Sequence, residues 1–439
     1  MIRALLGVRR SGSRVARLFV GVFVLSACVL VPLAPGATPA YAATGDIGYV
    51  GPSSAGDGSA ATGEKPESKL WWNDGSWWAV LFDTVSQTHH IFRLDRPAEQ
   101  WVDSGVIVDR RPKTRSDVLW DGSRLYVASH VRASSSAGAT SGNPARLFRF
   151  SYMVATGTYV LDAGFPVPIN NYSSETLTLD KDSTGILWAT WTQAAKVYVN
   201  KTTTSDSTWG TPFVLPATGA TGLDSDDISA IVAFNGQIGV MWSNQAASAM
   251  YFASHGDGAT GTTWQVSRTA VQGPRSADDH INLKSLQADP TGQVFAAIKT
   301  SLDDAGGTAS APQILLLARD PVTGDWTSAP VGRVSDCHTR PIVVLDAEHR
   351  MVYVFATAPD TGCPFSGTPG TIFMKSSPTD SLSFPLGRGT PVMRDGGSAN
   401  LNNVTSTKQV VTSGTGLVVI ASNDATNSYW HADLTLGSP

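Results

Sequence analysis

Charge, cysteine and histidine are all scarce in this chain of 439 residues. Charged residues make up 15% of it, and it holds three cysteines and eight histidines. Nucleic-acid and anionic-membrane partners require clustered Lys or Arg, and the mature chain has no such cluster. The sequence also lacks a zinc cluster, a phosphate-binding loop, a dinucleotide fingerprint and a Gly-x-Ser-x-Gly nucleophile motif. These absences exclude nucleic acid as a partner and several common enzyme classes.

The basic stretch of the chain lies at its amino terminus. Five arginines and no acids precede an apolar run from Leu18 to Ala34, and Ala40-Tyr41-Ala42 offers a small-x-small cleavage site. We predict that residues 1–42 are a signal peptide, that the protein is secreted and extracellular, and that it meets a membrane only before cleavage. A retained anchor is the alternative, but the run is short against the roughly 20 apolar residues of a spanning helix. A lipoprotein box ending at Cys28 is a second alternative, although the apolar run continues beyond it.

Cleavage after residue 42 changes the formal charge from −4 to −9 and leaves two cysteines. Two cysteines in an exported protein favour one disulfide. We therefore predict a Cys337–Cys363 bridge, with two buried free thiols as the alternative.

Glycine, proline and tryptophan are plentiful, at 42, 25 and 13 residues, and no stretch of the mature chain has a convincing amphipathic helical pattern. Instead a turn followed by an apolar strand recurs seven times. These segments start at Asp74, Asp121, Thr184, Asn235, Thr291, Glu348 and Gly414. Their starts lie 47, 63, 51, 56, 57 and 66 residues apart, a spacing typical of propeller blades with several short strands each.

The repeat predicts an all-β protein in which residues 43–439 form a single domain, a seven-bladed β-propeller of four-stranded antiparallel blades. A β-sandwich or a two-domain β-protein would not explain seven similar hairpins. Within residues 43–66 we predict a closing strand, Asp46 to Val50, that completes the last blade and leaves no open sheet edge. Residues 52–64 are interpreted as a flexible crossing loop.

A second recurrent element is a polar turn that ends in Trp, as in Ser205 to Trp209, Asp257 to Trp264 and Asp320 to Trp326. These turns resemble the Asp-box of the sialidase-like propellers. The resemblance implies a structural role, with the Asp holding a hairpin and the Trp packing between blades, away from the catalytic face. Sialidases also use three arginines and a Tyr–Glu pair, whereas this chain has two arginines at equivalent positions of its repeats and no evident Tyr–Glu pair.

Polar residues precede the innermost strand of every predicted blade, and innermost strands line the axis of a propeller. The polar residues at these positions are Glu67 and Lys69; Arg115 and Asp117; Glu175; Asp224, Asp226 and Asp227; Asp278, Asp279, His280 and Lys284; His338 and Arg340; and Asn402, Asn403 and Lys408. Turn capping accounts for many of them singly. We expect them to meet at one axial face, and Asp279, His280, His338 and Arg340 to converge on one pocket.

Glycosidic cleavage requires a carboxylic acid of raised pKa and a second carboxylate. We therefore predict a glycoside hydrolase acting on an extracellular or cell-wall polysaccharide. The candidate catalytic residues are Asp117, Glu175, Asp227, Asp279 and His280. The candidate substrate-binding residues are Arg115, Lys284, His338, Arg340 and Lys408.

Two alternatives remain open at this point. Asp278 to Asn282 is similar to the Asp-His-Asn blade opening of some propeller polysaccharide lyases, which implies His280, His338 and Arg340 as the working set on a uronic acid. A non-catalytic glycan-binding propeller could instead stack sugars on Trp71 and Trp72, although blade packing also explains these residues. The aspartates of 180–185 and 224–227 could offer oxygens to Ca²⁺ without its full spacing, so no metal or cofactor is predicted. We expect a monomer.

Overall fold

Seven antiparallel sheets form from the seven predicted hairpins and make a seven-bladed β-propeller. The computed structural model describes residues 45–261, 263–285, 292–304, 307–360, 362–398 and 400–437. These belong to one unit that spans residues 42–439. The predicted signal peptide, residues 1–42, lies outside the described residues.

One strand precedes blade one along the chain and does not belong to that blade. Strand β1 is Tyr49–Ser53. Blade one holds β2 (Leu70–Asn73), β3 (Ser76–Asp83), β4 (Thr88–Asp95) and β5 (Gln100–Asp109). Blade two holds β6 (Thr114–Trp120), β7 (Arg124–Val131), β8 (Arg146–Met153), β9 (Thr158–Leu161) and β10 (Val167–Pro168). Blade three holds β11 (Thr178–Lys181), β12 (Leu187–Gln193), β13 (Lys196–Lys201) and β14 (Phe213–Val214).

The remaining four blades follow the same order along the chain. Blade four holds β15 (Ser229–Phe234), β16 (Gln237–Asn244), β17 (Ala249–Gly256) and β18 (Arg268–Gln272). Blade five holds β19 (Ile281–Ser285), β20 (Val294–Lys299), β21 (Pro312–Arg319) and β22 (Trp326–Arg333). Blade six holds β23 (Thr339–Asp346), β24 (Met351–Ala358), β25 (Thr371–Pro378) and β26 (Thr390–Met393). Blade seven holds β27 (Leu401–Thr405), β28 (Leu417–Asn423) and β29 (Ser428–Leu434).

The first strands of successive blades, β2, β6, β11, β15, β19, β23 and β27, contact one another in sequence. A parallel bridge from Leu70 to Thr407 joins the first of them to blade seven. Blade two departs from four strands because β9 and β10 both pair with β8. Helix is confined, within the described ranges, to two short 3₁₀ turns, Ser136–Gly138 and Val334–Asp336. No helix among those residues is long and apolar enough to cross a membrane.

The hairpins form where the sequence places residues that accept a positive φ. Asp74 and Gly75 have φ of 49° and 70° between β2 and β3, and Asn235 and Gly236 have 41° and 68° between β15 and β16. Two consecutive positive φ values match the right-handed twist of the strands on either side of a tight hairpin. The turn chemistry therefore sets where each inner strand ends and the second strand begins.

The apolar core is a ring of interfaces between blades rather than a single central core. Blades four and five share one cluster of buried side chains, blades five and six share another, and the largest joins blades six, seven and one. The second strand of each blade is therefore covered on both faces. Every residue of β20 and of β24 is buried, which explains why these strands are continuously apolar.

Tryptophans pack at these interfaces. Trp264 lies 6.0 Å from Trp188 of the preceding blade, and Trp326 lies 5.2 Å from Phe252, as the resemblance to Asp-box turns implies. Trp71 is 1% exposed, so it packs between strands and has no face free for a sugar. Trp72 packs edge-on against Trp77.

Closure of the ring joins the two ends of the described chain. Strand β1 pairs antiparallel with β29, with Tyr49 opposite His431 and Val50 opposite Trp430, and becomes the outer strand of blade seven. The interpretation of residues 52–64 as a flexible loop is wrong in its second half. Residues 60–64 are buried, and the buried stretch continues through residue 69. Hydrogen bonds to inner strands hold it there, as described below.

Candidate functional site

A segment of the chain that precedes blade one lies across the starts of the inner strands. We call residues 57–69 the crossing segment. Thr405 Oγ1 of blade seven donates to the carbonyl of Glu67 over 2.8 Å, and the amide of Ser68 donates to Asp117 Oδ1 of blade two over 2.8 Å. Asn282 Nδ2 of blade five donates to the carbonyl of Lys65 over 3.1 Å. Contacts with three separate blades fix the segment at the axial face.

Lys65 brings together two of the carboxylates that the sequence singles out. Its ammonium lies 3.2 Å from Glu175 Oε1 of blade three and contacts Asp279 Oδ2 of blade five. The side chains of Lys65 and Glu175 are nearly inaccessible, and that of Asp279 is 14% exposed. Glu175 and Asp279 therefore face each other across a single lysine.

The two carboxyl groups have opposite pKa shifts. Burial raises the pKa of Glu175 to about 7, and the Lys65 ammonium offsets only part of this effect. Burial also acts on Asp279, but the charge of His280, with hydrogen bonds from its neighbours and the Lys65 charge, holds its pKa well below the usual range. The pKa of Lys65 is raised, because Asp279 and Glu175 outweigh burial. At neutral pH Asp279 is ionised, whereas Glu175 lies near its midpoint.

His280 lies on the other side of Asp279. Its Nδ1 is 2.5 Å from Asp278 Oδ1 and 2.6 Å from Asp279 Oδ1. Burial favours the neutral ring, but the charges of Asp279 and Asp278 raise the pKa of His280 and favour the protonated ring. Its Nε2 is buried and has no hydrogen-bond partner among the described residues.

Asp278, Asp279 and His280 lie close enough together to hold a metal ion. Lys299 Nζ, however, lies 2.7 Å from Asp278 Oδ2, and the Lys65 ammonium contacts Asp279. Both carboxylates therefore already face protein cations, and the imidazole carries a proton. A metal ion would have to displace these cations, so the residues present fit an ion pair better than a metal centre.

The rim of this site carries Asp226, which is exposed and whose pKa is raised by partial burial and by the charge of Asp279.

Asp117, Lys284 and Lys408 form a second buried group below the crossing segment. Asp117 accepts the amides of Ser68 and Leu179, each over 2.8 Å, and pairs with Lys408 over 3.0 Å. Lys284 donates to the Ser68 hydroxyl over 2.9 Å, and burial together with the nearby Lys408 lowers its pKa to about 7. These side chains bind the protein itself and hold the crossing segment.

Arg115 and Asp227 also have partners within the protein. Arg115 Nη1 lies 2.9 Å from Asp57 Oδ1 and 2.6 Å from the carbonyl of Thr114, and the guanidinium also contacts the carbonyl of Ser59. Asp227 accepts the amide of Asp224 in its own turn and the amide of Gln245, which follows β16. The Asp182 carboxylate likewise caps the turn of residues 182–186, so neither Asp-rich turn is arranged around an ion.

His338 does not join Asp279 and His280. It lies against Gly332 of β22 and Phe373 of β25, and its Nε2 is 3.0 Å from the carbonyl of Arg388. Burial and the nearby Lys375 lower the pKa of His338 to about 4, so the ring is neutral. The expected convergence of four residues from blades five and six is therefore wrong for His338.

Arg340 lies in a bulge near the start of β23 and has a left-handed φ of 50°. The partners that the structure gives to Asp279 and His280 come from the crossing segment and from blade five, not from this arginine.

The predicted disulfide is confirmed: Cys337 is bonded to Cys363 across Cα atoms 5.9 Å apart. It lies next to His338 rather than beside Asp279.

Sequence reasoning missed Lys65 and Lys299. Lys65 directly follows the stretch interpreted as a crossing loop and was not singled out, although Glu67 and Lys69, two and four residues away, were recognised as polar residues at an inner strand. Lys299 ends β20, and its contact with Asp278 depends on the pairing of β19 with β20. Neither residue belongs to a recognisable motif.

The comparisons with known proteins yield structural likeness only. No protein-family model matches the sequence, and no curated protein matches it. The polysaccharide lyase Uly1 superposes with a TM-score of 0.48 at 10% identity, over 89% of this chain and 97% of that one. The intramolecular trans-sialidase from Ruminococcus gnavus superposes with a TM-score of 0.38 at 10% identity, over 91% and 100%. A prolyl endopeptidase superposes with a TM-score of 0.43 at 11% identity, over 85% and 50%. These values assign no activity to this chain.

Proposed function

We propose that the protein is a glycoside hydrolase whose site is the axial mouth around Glu175 and Asp279. The observation that carries this proposal is the pair of opposite pKa shifts on two carboxyl groups that share one lysine. Environments that separate the pKa values of two carboxyls assign one as the proton donor and the other as the ionised partner. Glycosidic cleavage requires that pair.

In this proposal Glu175 is the general acid. Its pKa of about 7 leaves a large fraction protonated at neutral pH, and its Oε2 has no protein partner among the described residues. A protonated Oε2 can donate to the oxygen of the leaving sugar without breaking an existing hydrogen bond. Asp279 stays ionised next to the His280 imidazolium and acts on the opposite side of the bond as base or nucleophile.

The Lys65 ammonium occupies the space between the two carboxyl groups. A sugar can contact both only if this side chain turns away or the crossing segment shifts. The exposed Asp226 and the partly exposed Asp279 lie on the open side of the cluster, from which a polysaccharide would approach. Lys65 is therefore the residue whose position decides whether the site is open.

A lyase is less well supported by the same geometry. A lyase base must take a proton from the carbon next to a uronate, and the charges of Asp279 and Asp278 raise the pKa of His280, which favours its protonated form. The other two residues of the lyase working set, His338 and Arg340, are not among the partners that the structure gives to His280 and Asp279. We also propose that the protein is exported and that its partner is an extracellular polysaccharide; a disulfide is typical of that compartment.

The experiment is incubation with neutral and uronic-acid polysaccharides such as xylan, arabinan and pectin. A hydrolase produces reducing ends, a lyase produces an unsaturated product that absorbs in the ultraviolet, and a binding protein is retarded in an affinity gel without turnover. We expect reducing ends, with turnover reduced about 10²-fold or more by Glu175→Gln and by Asp279→Asn. Asp224→Asn, at an exposed carboxylate of the same face, is the matched control and should keep full turnover. Turnover that survives both site variants would show that the assignment is wrong.

A further inference from the structure

A groove of about 830 Å³ lies on the flank of the propeller between blades two and three. Its walls come from the chain around β10, from the end of β12 and from the turn that precedes β14. None of the lining residues is charged, in contrast to the axial mouth; they are Pro, Val, Ile, Asn, Tyr, Trp, Gln, Ser, Thr and Gly. An uncharged lining disfavours an ionic ligand, because a buried charge needs an opposite charge or several hydrogen bonds.

Aromatic rings form one wall of this groove. Tyr198 is stacked on Trp191, with ring centroids 5.9 Å apart and planes 15° apart. Trp191 is buried beneath it, whereas Tyr198, Tyr172 and Trp209 are only partly buried. Broad aromatic surfaces that keep part of their area open suit the flat C–H face of a pyranose ring.

Unpaired hydrogen-bond donors line the same groove. The Oδ1 of Asn170 accepts the amides of Ala145 and Tyr172, at 2.9 and 3.1 Å, which fixes the orientation of its amide group. Its Nδ2 has no partner among the described residues, although Asn170 is only 7% exposed. The indole N–H of Trp209 also lacks a partner within the part of the chain that the structure describes. Two buried donors without acceptors are costly, and a ligand rich in oxygen acceptors would offset that cost.

Gln193 adds a third donor. Its Oε1 accepts the indole N–H of Trp191 over 3.2 Å, which leaves its NH₂ without an acceptor among the described residues. A neutral sugar offers hydroxyl and ring oxygens to such donors and an apolar face to the tyrosine. We infer that this groove binds a neutral glycan, in a site separate from the axial mouth. The inference does not require the protein to be a hydrolase.

The test is titration calorimetry of the full chain with two neutral oligosaccharides, xylohexaose and cellohexaose. We expect at least one of them to bind, and we expect Tyr198→Ala and Gln193→Ala each to weaken binding about tenfold, equivalent to about 1.4 kcal/mol. Tyr251→Ala is the matched control, because Tyr251 is stacked on Trp242 in the same register of blade four but lies outside the groove. It should change the affinity less than twofold.

Glu175→Gln separates this site from the axial mouth. Binding that Glu175→Gln weakens and Tyr198→Ala leaves unchanged would place the sugar at the mouth and overturn the inference. Failure of both oligosaccharides to bind at millimolar concentration would overturn it as well. A proline-rich peptide serves as a competing probe, and tighter binding of that peptide than of either sugar would show that the groove recognises protein instead.

Discussion

Lys65 Nζ lies 3.2 Å from Glu175 Oε1, although the two residues are 110 positions apart and belong to the crossing segment and to blade three. The lysine is held by Asp279 of blade five at the same time. The Lys65 side chain therefore connects the crossing segment to blades three and five at the place where the proposed chemistry occurs. This relationship leads to predictions about stability that do not depend on knowing the substrate.

The first prediction concerns Lys65. Lys65→Met leaves the buried Glu175 without its cation and Asp279 with His280 alone, and breaking a buried pair in this way costs about 3–5 kcal/mol of the free energy of unfolding. Urea denaturation measures the loss. Lys196→Met, at an exposed lysine, should change the stability by less than about 0.5 kcal/mol. Adding Glu175→Gln to Lys65→Met should restore part of the loss, and a loss below about 1 kcal/mol for Lys65→Met alone would contradict the ion-pair account.

The second prediction concerns the pH dependence of stability. Glu175 binds its proton up to about pH 7 in the folded protein, whereas in the unfolded chain it releases it near pH 4.3. Between these values the folded state holds more protons, so this residue makes stability fall as pH rises. The contribution is about 4 kcal/mol across the window. Glu175→Gln should remove that decline when unfolding is measured from pH 4 to 8, and a variant with the same pH profile as the wild type would refute the raised pKa.

The third prediction concerns Asn282. Its Nδ2 donates to the carbonyl of Lys65 and its Oδ1 accepts the amide of Val343, each over 3.1 Å. Asn282→Ala leaves both backbone groups unpaired and should cost about 2–6 kcal/mol, since one buried orphan costs about 1–3 kcal/mol. Asn282→Asp keeps the acceptor for Val343 but places a carboxylate oxygen against the Lys65 carbonyl at a buried position, so it should lose stability as well. Equal stability of both variants and the wild type would mean that the crossing segment is held by other contacts.

The fourth prediction concerns the disulfide. The bonded cysteines are 26 residues apart, and closing a loop of this size stabilises the folded state by about 3 kcal/mol in the chain-entropy model. Thiol titration of the denatured chain from residue 43 onwards should find no thiols before reduction and two after it. The double variant Cys337→Ser/Cys363→Ser should lower the midpoint of urea denaturation. Two thiols before reduction would refute the bridge.

The sequence predicts the fold because the fold depends on local chemistry. A turn such as Asp74-Gly75 needs residues that accept positive φ, and the apolar strand after it needs a partner on each face. Both requirements are met within about ten residues, and they recur seven times. Blade number and strand order could therefore be predicted without coordinates. The Cys337–Cys363 bridge could be predicted as well, because these are the two cysteines that remain after the predicted cleavage.

The composition of the axial site was decided by the tertiary structure. Lys65 comes from a stretch without strand periodicity, and its partners lie 110 and 214 residues further along the chain. His338 occupies the same phase of its blade as His280, yet its ring lies between β22 and β25 and does not reach Asp279. Sequence phase determines which end of a blade a residue occupies. The direction of its side chain, and which charge it meets there, depends on the packing of neighbouring blades, because burial makes pairing with an opposite charge the lowest-energy arrangement for a charged group.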